Sequence, residues 1–510
     1  MKKNIVLIML DSLQFNYVGC YGNEWIKTPN LDKLASEGTL FENAYAEGLP
    51  TVPVRRAMLT GRFTLPFKGW GPLDNDDTTI ADIMWGRGVH TALIYDSAPM
   101  RLPKYGYSRG FDDVIFSHGH ELDQYFYAKD TLYHLDPDDY IDKNCMTEPD
   151  GSPRTGIPEV TMNELPEYLK LRQNWKSDDD SYVGVVASNT CNWLHKVDKT
   201  KPFLLWVDSF DPHEPWDPPS VWEPDTKCPY DPDYTGKDMI IPPLGMADYF
   251  TEEQLHHIRM LYAENVTVCD KHVGKILDKI KELGLWDDTL IMVMSDHGEP
   301  MGHGEHGHGI MRKCRPWPYE ELVHVPMIVR YPGYGEGKRV KGFVQTCDVA
   351  PTMIDYLAIK EETLEYGAQQ MTVCNPDEMQ GISLLPIIRG EAEGRDFAIA
   401  GYYGFSWSII THDYSYIHWI GQMKEILTDE ACFKFSDMGG IAKGEFTKSL
   451  MKDEMWTCTP NSEAEMPEED QLFDRKSDPF QLKNILKEKP SIGKELLKQL
   501  MDYMAELRTT

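Results

Sequence analysis

Ile5 to Leu10 is an unbroken apolar run that ends on Asp11. A short continuous run of this kind predicts a parallel strand buried on both faces, with a carboxylate at its C-terminal end. Thr28 to Gly38 follows with a helix start at Thr28-Pro29 and a glycine stop, and Thr39 to Tyr45 reads as a strand returning towards Thr51. Thr78 to Gly88 predicts another helix and Val89 to Tyr95 another strand. Pro202 to Asp208 and Thr289 to Ser295 repeat the apolar-run signature, with an amphipathic helix over 251–283 between them. The second of these runs leads into Asp296-His297-Gly298-Glu299, and Pro326 to Tyr331 is a further strand. Strand alternating with helix predicts an α/β fold, a large mostly parallel central sheet flanked by helices.

Two stretches break the rhythm. Residues 113–200 are rich in Asp, Tyr, Pro and His and read as an insertion capping the sheet edge, a usual place for substrate selection. From about residue 395, short β-like segments (Phe397 to Tyr403, Trp407 to Thr411, Tyr414 to Trp419) precede a charged helix at 490–507. The expected organisation is therefore a catalytic domain over 1–394 and a smaller C-terminal α+β subdomain over 395–510.

Charge narrows the partners. A formal net charge of −31 disfavours nucleic acid and anionic membrane surfaces, and it means that an anionic substrate needs a local positive site. Ten cysteines stand singly with no CxxC pair, which fits a reducing compartment rather than a zinc ribbon or disulfide scaffold. The apolar run after Lys2-Lys3 is too short for a signal peptide and nothing reaches membrane-spanning length, so the expectation is a cytoplasmic protein.

The chemistry-bearing stretch is 51–62, opening on Thr51 with Pro53 and Arg55 behind it and closing on Gly61-Arg62. Pro53 biases Val52 away from helix, so a helix is expected from Arg55 onward, with Thr51 at its mouth. By itself Thr51 reads most simply as a capping threonine. As a nucleophile it would face backbone N–H donors and the positive end of a helix dipole, with Arg55 one turn along. Asp11, Thr51, Asp296 and His297 stand at strand ends, as does His213. Two carboxylates, an imidazole and a hydroxyl oxygen make a site for one divalent metal, which would lower the pKa of the Thr51 hydroxyl.

These stretches resemble the sulfatase family of the alkaline phosphatase superfamily. The matching segments are Ile5 to Asp11, Thr28 to Ala35, the signature at 51–62, Gly110-Phe111-Asp112, Pro212-His213-Glu214-Pro215, Tyr262 to Gly274, Ser295 to Glu299, Tyr319-Glu320-Glu321, Asp348 to Thr352, and Leu472-Phe473-Asp474. They span almost the whole chain in family order. The departures are informative. Sulfatases carry Cys or Ser at the first signature position, converted to formylglycine; Thr51 cannot be oxidised to an aldehyde, so no formylglycine is expected. Ser12 stands where a second aspartate is usual, His297 where an asparagine is usual, and Asp96-Ser97 where a lysine is usual. Losing a carboxylate and gaining an imidazole favours Mn, Zn or Fe over Ca or Mg. That ligand set resembles phosphonate monoester hydrolases and phosphodiesterases.

The resemblance implies roles for further residues. Arg55 would steady the nucleophile and ester oxygens, His213 would bind the ester or protonate the leaving group, and Lys313 is the expected family lysine, with Arg312 or Arg315 as alternatives. His303, His306 and His308, with Asp208 or Asp211 and His213, would suit a second metal, although one metal is favoured. The expected function is hydrolysis of small phosphodiesters or phosphonate monoesters through a covalent Thr51 intermediate. The rivals are a sulfate-ester hydrolase without formylglycine, a phosphoryl-type transferase and a catalytically dead binding protein. The expected partner is a small anionic ester, with no nucleic acid and no membrane, and a homo-oligomer is compatible with the chain.

Overall fold

The computed structural model describes residues 3–85, 87–102, 105–120, 134–147, 157–243, 245–247, 250–303, 307–313, 317–359, 363–366, 369–372, 379–420 and 469–509. Its centre is an eight-stranded sheet. In chain order the strands are β1 (Asn4–Leu10), β2 (Thr39–Phe41), β3 (His90–Tyr95), β4 (Asp113–Phe116), β5 (Phe203–Ser209), β6 (Thr289–Met294), β7 (Met327–Arg330) and β8 (Lys338–Val340). Across the sheet the order is β8-β2-β7-β6-β1-β5-β3-β4. β1 pairs in parallel with both β5 and β6, β3 continues in parallel from β5, and only β7 runs against its neighbours. The mostly parallel α/β sheet expected from the apolar runs is therefore present.

β1 shows why these runs are continuous rather than alternating. Ile5, Leu7 and Met9 enter one core layer, and Val6, Ile8 and Leu10 enter the layer on the opposite face. Both faces are covered, so every side chain from Ile5 to Leu10 is apolar. Truncating a buried leucine such as Leu7 to alanine costs about 2–5 kcal/mol. The helix Glu252–Glu282 lies in the second layer; Thr251 accepts from the Gln254 backbone N–H and the Gln254 side chain returns to the Thr251 backbone, closing a capping box. The segment 113–200 has both of its ends in the main layers, since 113–116 forms edge strand β4 and Tyr182–Lys196 packs against Glu252–Glu282. The predicted helix over 78–88 is shorter, Ile80–Met84, because Trp85 already has extended backbone.

The C-terminal part holds a four-stranded antiparallel meander of β9 (Phe397–Tyr402), β10 (Ser406–Thr411), β11 (Tyr414–Trp419) and β12 (Gln471–Asp474). The helix Pro490–Leu507 lays Leu496, Leu500 and Met504 onto it, in one cluster with Ala57, Phe63 and Leu65. The back of the 51–60 helix thus rests on this second sheet. Among the described residues, no helix is long and apolar enough to cross a membrane.

Candidate active site

Parallel pairing places the C-terminal ends of β1, β5 and β6 side by side, with β1 in the middle. Asp11 directly follows β1, and its N–H donates to the Ser209 carbonyl at 2.9 Å, so its backbone extends the ladder. Asp208 lies near the end of β5, opposite Met9. Asp296 and His297 follow β6. Ser12 adopts left-handed backbone (φ 63°), a conformation disfavoured for a non-glycine residue. There its N–H donates to Asp296 Oδ1 at 3.1 Å and its hydroxyl donates to Asp11 Oδ1 at 3.1 Å. Gly298 is needed for a different reason: a Cβ there would lie 2.1 Å from the Glu321 carbonyl oxygen.

The helix over the signature begins at Thr51 itself and runs to Thr60, with Gly61 closing it in left-handed backbone at φ 68°. This corrects the expected start at Arg55. Pro53 falls in the first turn, where its missing N–H would have had no intrahelical partner, so it does not delay the helix. Pro50 occupies the cap position and no side chain caps the helix. Thr51 is therefore not a capping residue; its Oγ1 lies 3.2 Å from His297 Nε2.

Arg55 projects one turn on, and its guanidinium is fully engaged. Nε and Nη2 grip Asp208 at 3.0 and 2.7 Å, and Nη1 donates to Asp296 Oδ2 at 2.6 Å and to the Thr51 carbonyl at 3.2 Å. Nη2 also lies 3.0 Å from Asp11 Oδ2, although among the described residues that oxygen accepts no hydrogen bond. Asp208 as the partner of Arg55 was missed at the level of sequence. Its only signal is a carboxylate inside an otherwise apolar strand run, which a buried cation must answer.

The donor set fits a divalent cation. One ligand atom each from Asp11, Asp296 and His297 lie within 4.8 Å of one another, and all three residues are buried. His297 Nε2 is 3.7 Å from Asp11 Oδ1 and 3.6 Å from Asp296 Oδ2. His297 Nδ1 lies 2.7 Å from the Gly298 carbonyl, which makes Nδ1–H the donor and turns the Nε2 lone pair towards the carboxylates and Thr51. Burial pushes the His297 imidazole down to about 4, so it is neutral at pH 7 and able to ligate. Burial and then the Asp296 charge push the Asp11 carboxyl well up. Burial acts the same way on Asp296, but His297 and Arg55 outweigh it and hold that carboxyl below its usual range. Crowded carboxylates of this kind ionise together only opposite concentrated positive charge.

A second group of polar side chains borders the first. Lys313 Nζ meets His213 Nε2, and His213 Nδ1–H donates to the Glu214 carbonyl at 2.8 Å. Burial and then Lys313 push the His213 imidazole well below its ordinary value, so it is a neutral acceptor for the ammonium. The Lys313 charge also reaches Asp11 and His297. Arg312 pairs with Glu214 instead, and burial with the Glu214 charge raises Glu299 to about 8. Arg315 and His306 lie outside the described residues. His308 bonds the Phe480 carbonyl and stacks on Tyr319 at 3.5 Å, and among the described residues neither His303 nor His308 joins a metal-capable group.

The family description "Sulfatase" matches residues 3–359, and "N-sulphoglucosamine sulphohydrolase, C-terminal" matches 304–430. The first covers most of the chain, and the protein belongs to the sulfatase family of the alkaline phosphatase superfamily. It is 28% identical over 411 residues to an arylsulfatase of Clostridium perfringens, covering 76% of this chain and 79% of the relative. It is 23% identical to an N-acetylglucosamine-6-O-sulfatase of Bacteroides thetaiotaomicron, covering 83% and 80%. Its fold matches the crystal structure of the phosphonate monoester hydrolase of Agrobacterium radiobacter with a TM-score of 0.64, 19% identity, and 99% and 96% of the two chains covered. The chain is thus a hydrolase of a family whose members act on sulfate and phosphonate esters, and that family is metal-dependent.

Proposed function

We propose that this chain hydrolyses small phosphodiesters or phosphonate monoesters, with Thr51 as nucleophile and one divalent ion of the Mn, Zn or Fe class held by Asp11, Thr51, Asp296 and His297. The observation that carries this reading is the 3.2 Å approach of Thr51 Oγ1 to the His297 Nε2 lone pair inside a carboxylate cluster. Such an ion, when bound, supplies Lewis-acid charge that favours the ionised Thr51 oxygen. The Thr51 oxygen attacks phosphorus, the P–O bond to the leaving alcohol breaks, and a phospho-Thr51 ester forms. The Lys313–His213 pair delivers a proton to the departing oxygen. Water then attacks phosphorus, the Thr51 Oγ–P bond breaks, and the threonine is regenerated. Arg55 spends its donors on Asp208, Asp296 and the Thr51 carbonyl, so its part is to hold nucleophile and carboxylates in register.

Sulfate-ester hydrolysis is the second reading, favoured by the arylsulfatase and N-acetylglucosamine-6-O-sulfatase relatives. Threonine disfavours it, because a sulfo-threonine has no aldehyde-forming route for release. Steady-state turnover of a p-nitrophenyl phosphodiester, phenylphosphonate, phosphate monoester and sulfate, with added Mn²⁺ or Zn²⁺, separates the two. Phosphodiester or phosphonate kcat/KM is expected to exceed sulfate kcat/KM by at least about tenfold, a difference of about 1.4 kcal/mol. Sulfate turnover above both would overturn the first reading. Trapping of a phosphoryl group on Thr51 by acid quench and peptide mass spectrometry tests the intermediate.

A further inference from the structure

We propose that Asp96, His120 and Asp211 form a second divalent-cation site, sharing no residue with Asp11, Asp296 and His297, that takes a borderline transition-metal ion such as Zn²⁺ or Mn²⁺.

The three side chains come from the ends of three adjacent strands: Asp96 follows β3, His120 lies four residues beyond β4, and Asp211 two beyond β5. One ligand atom from each lies within 4.8 Å of the other two. Direct pairing does not account for the grouping, since His120 Nε2 stays 3.8 Å from Asp211 Oδ1, beyond hydrogen-bond distance. His120 is 1% exposed, yet among the described residues neither of its ring nitrogens has a hydrogen-bond partner. Asp96 is 0% exposed, and its Oδ2 is likewise without one. A buried polar atom left unpaired costs about 1–3 kcal/mol, and an unpaired His120 nitrogen grouped with buried Asp96 and Asp211 oxygens is an arrangement that a bound cation relieves.

The remaining oxygens are oriented as metal ligands usually are. The Phe210 N–H donates to Asp96 Oδ1 at 2.7 Å, the Val183 N–H donates to Asp211 Oδ2 at 2.9 Å, and the Asn265 amide donates to Asp211 Oδ1 at 3.2 Å. The His120 ring is wedged between Tyr182 and Phe210, with centroids 4.6 and 4.7 Å away. Two carboxylates cancel the charge of a dication, which makes such a group tolerable at this depth. Burial and the Asp211 charge push the Asp96 carboxyl well up, in keeping with a site short of positive charge. One imidazole and two carboxylates suit Zn²⁺, Mn²⁺ or Fe²⁺ better than Ca²⁺, which takes six to eight oxygens.

The position suggests what the ion does. Phe210 meets the His120 ring edge-to-face and also packs against the tilted His213 ring at 4.0 Å. An ion between β3, β4 and β5 would therefore clamp the start of the 113–200 segment to the loop that carries His213. Its role is structural, and it stands or falls independently of the reaction proposed above.

The test counts ions. Full-length protein is stripped with a chelator, dialysed against Zn²⁺ or Mn²⁺, and its metal content per chain measured by mass spectrometry. Wild type is expected to retain two ions, while His120→Ala, Asp96→Asn and His297→Ala each retain one. His120→Ala and Asp96→Asn with wild-type stoichiometry would overturn the proposal. Loss of the ion in His297→Ala is a separate readout on the catalytic reading and does not bear on this one. Anomalous diffraction at the metal edge on wild-type crystals provides a second measurement that does not depend on how the variants fold. A peak between Asp96, His120 and Asp211 supports the site, and none there at saturating metal refutes it.

Discussion

Arg55 and Arg395 each engage buried carboxylates, and they do so differently. Arg395 meets Asp348 with Nη1 and Nη2 at 2.7 Å each, and the Gln345 and Ile382 N–H groups supply the remaining bonds at 2.8 Å each. One cation answers one anion, and the pair helps join the 349–357 helix to the C-terminal sheet. Arg55 faces Asp11, Asp208 and Asp296 at once, so three carboxylates meet one guanidinium, with a neutral imidazole beside them and the Lys313 charge acting from the bordering group. A closed pair of the first kind tightens a fold. A buried excess of negative charge weakens the fold by itself and becomes useful only when a dication enters it.

The largest way to break this contrast is at the nucleophile. Thr51→Ala is expected to lower kcat by at least about 10³-fold with an unchanged circular dichroism spectrum, whereas Thr51→Ser keeps measurable turnover. Equal activity in the alanine variant would remove Thr51 from the reaction. Metal removal comes next. Chelation should abolish turnover, and re-addition of Mn²⁺ or Zn²⁺ at 100 to 1,000 times Kd should raise stability by about 3–4 kcal/mol, read as a higher Tm.

Arg395→Met should cost about 3–5 kcal/mol in urea unfolding, because it strands Asp348, while metal content and kcat per folded molecule stay the same. Arg55→Met should instead enlarge the metal-dependent gain in Tm, since the cation then faces the carboxylates without competition. A gain equal to that of wild type would mean that Arg55 and the ion do not share their partners.

The smallest effect concerns a second closed pair, Glu320 with Arg475 at 3.0 Å. Burial tends to raise the Glu320 carboxyl, but Arg475 and His324 outweigh it and bring it to about 2 from 4.5. A folded-state value below the unfolded one stabilises above pH 4.5, and that stabilisation is lost as pH falls from 4.5 towards 2, by at most about 3 kcal/mol. Urea midpoints at pH 5, 4 and 3 should therefore converge for wild type and Glu320→Gln, and parallel curves would contradict the assignment.

Much of this molecule was legible along the chain. The run Ile5 to Leu10 and its counterparts at 203–207 and 290–294 announce buried parallel strands, because covering both faces favours an apolar side chain at successive positions. Asp11, Asp296 and His297 could be named from where those runs stop, and the 51–62 signature identified the family. The three strands of the C-terminal meander before residue 420 and the 490–507 helix also followed from period and charge. These are local properties, set by each residue and its near neighbours.

Tertiary structure decided the rest. Asp208 is 153 residues from Arg55, and nothing local to either says that one will neutralise the other. Thr51 lies in the first turn, behind Pro50 at the cap, and the group it faces, His297, is 246 positions away along the chain. Asp96, His120 and Asp211 converge only because β5, β3 and β4 lie next to one another in the sheet. Periodicity determines which residues form a strand and which faces they bury. The order in which strands assemble determines which strand ends meet, and at those ends this protein keeps its chemistry.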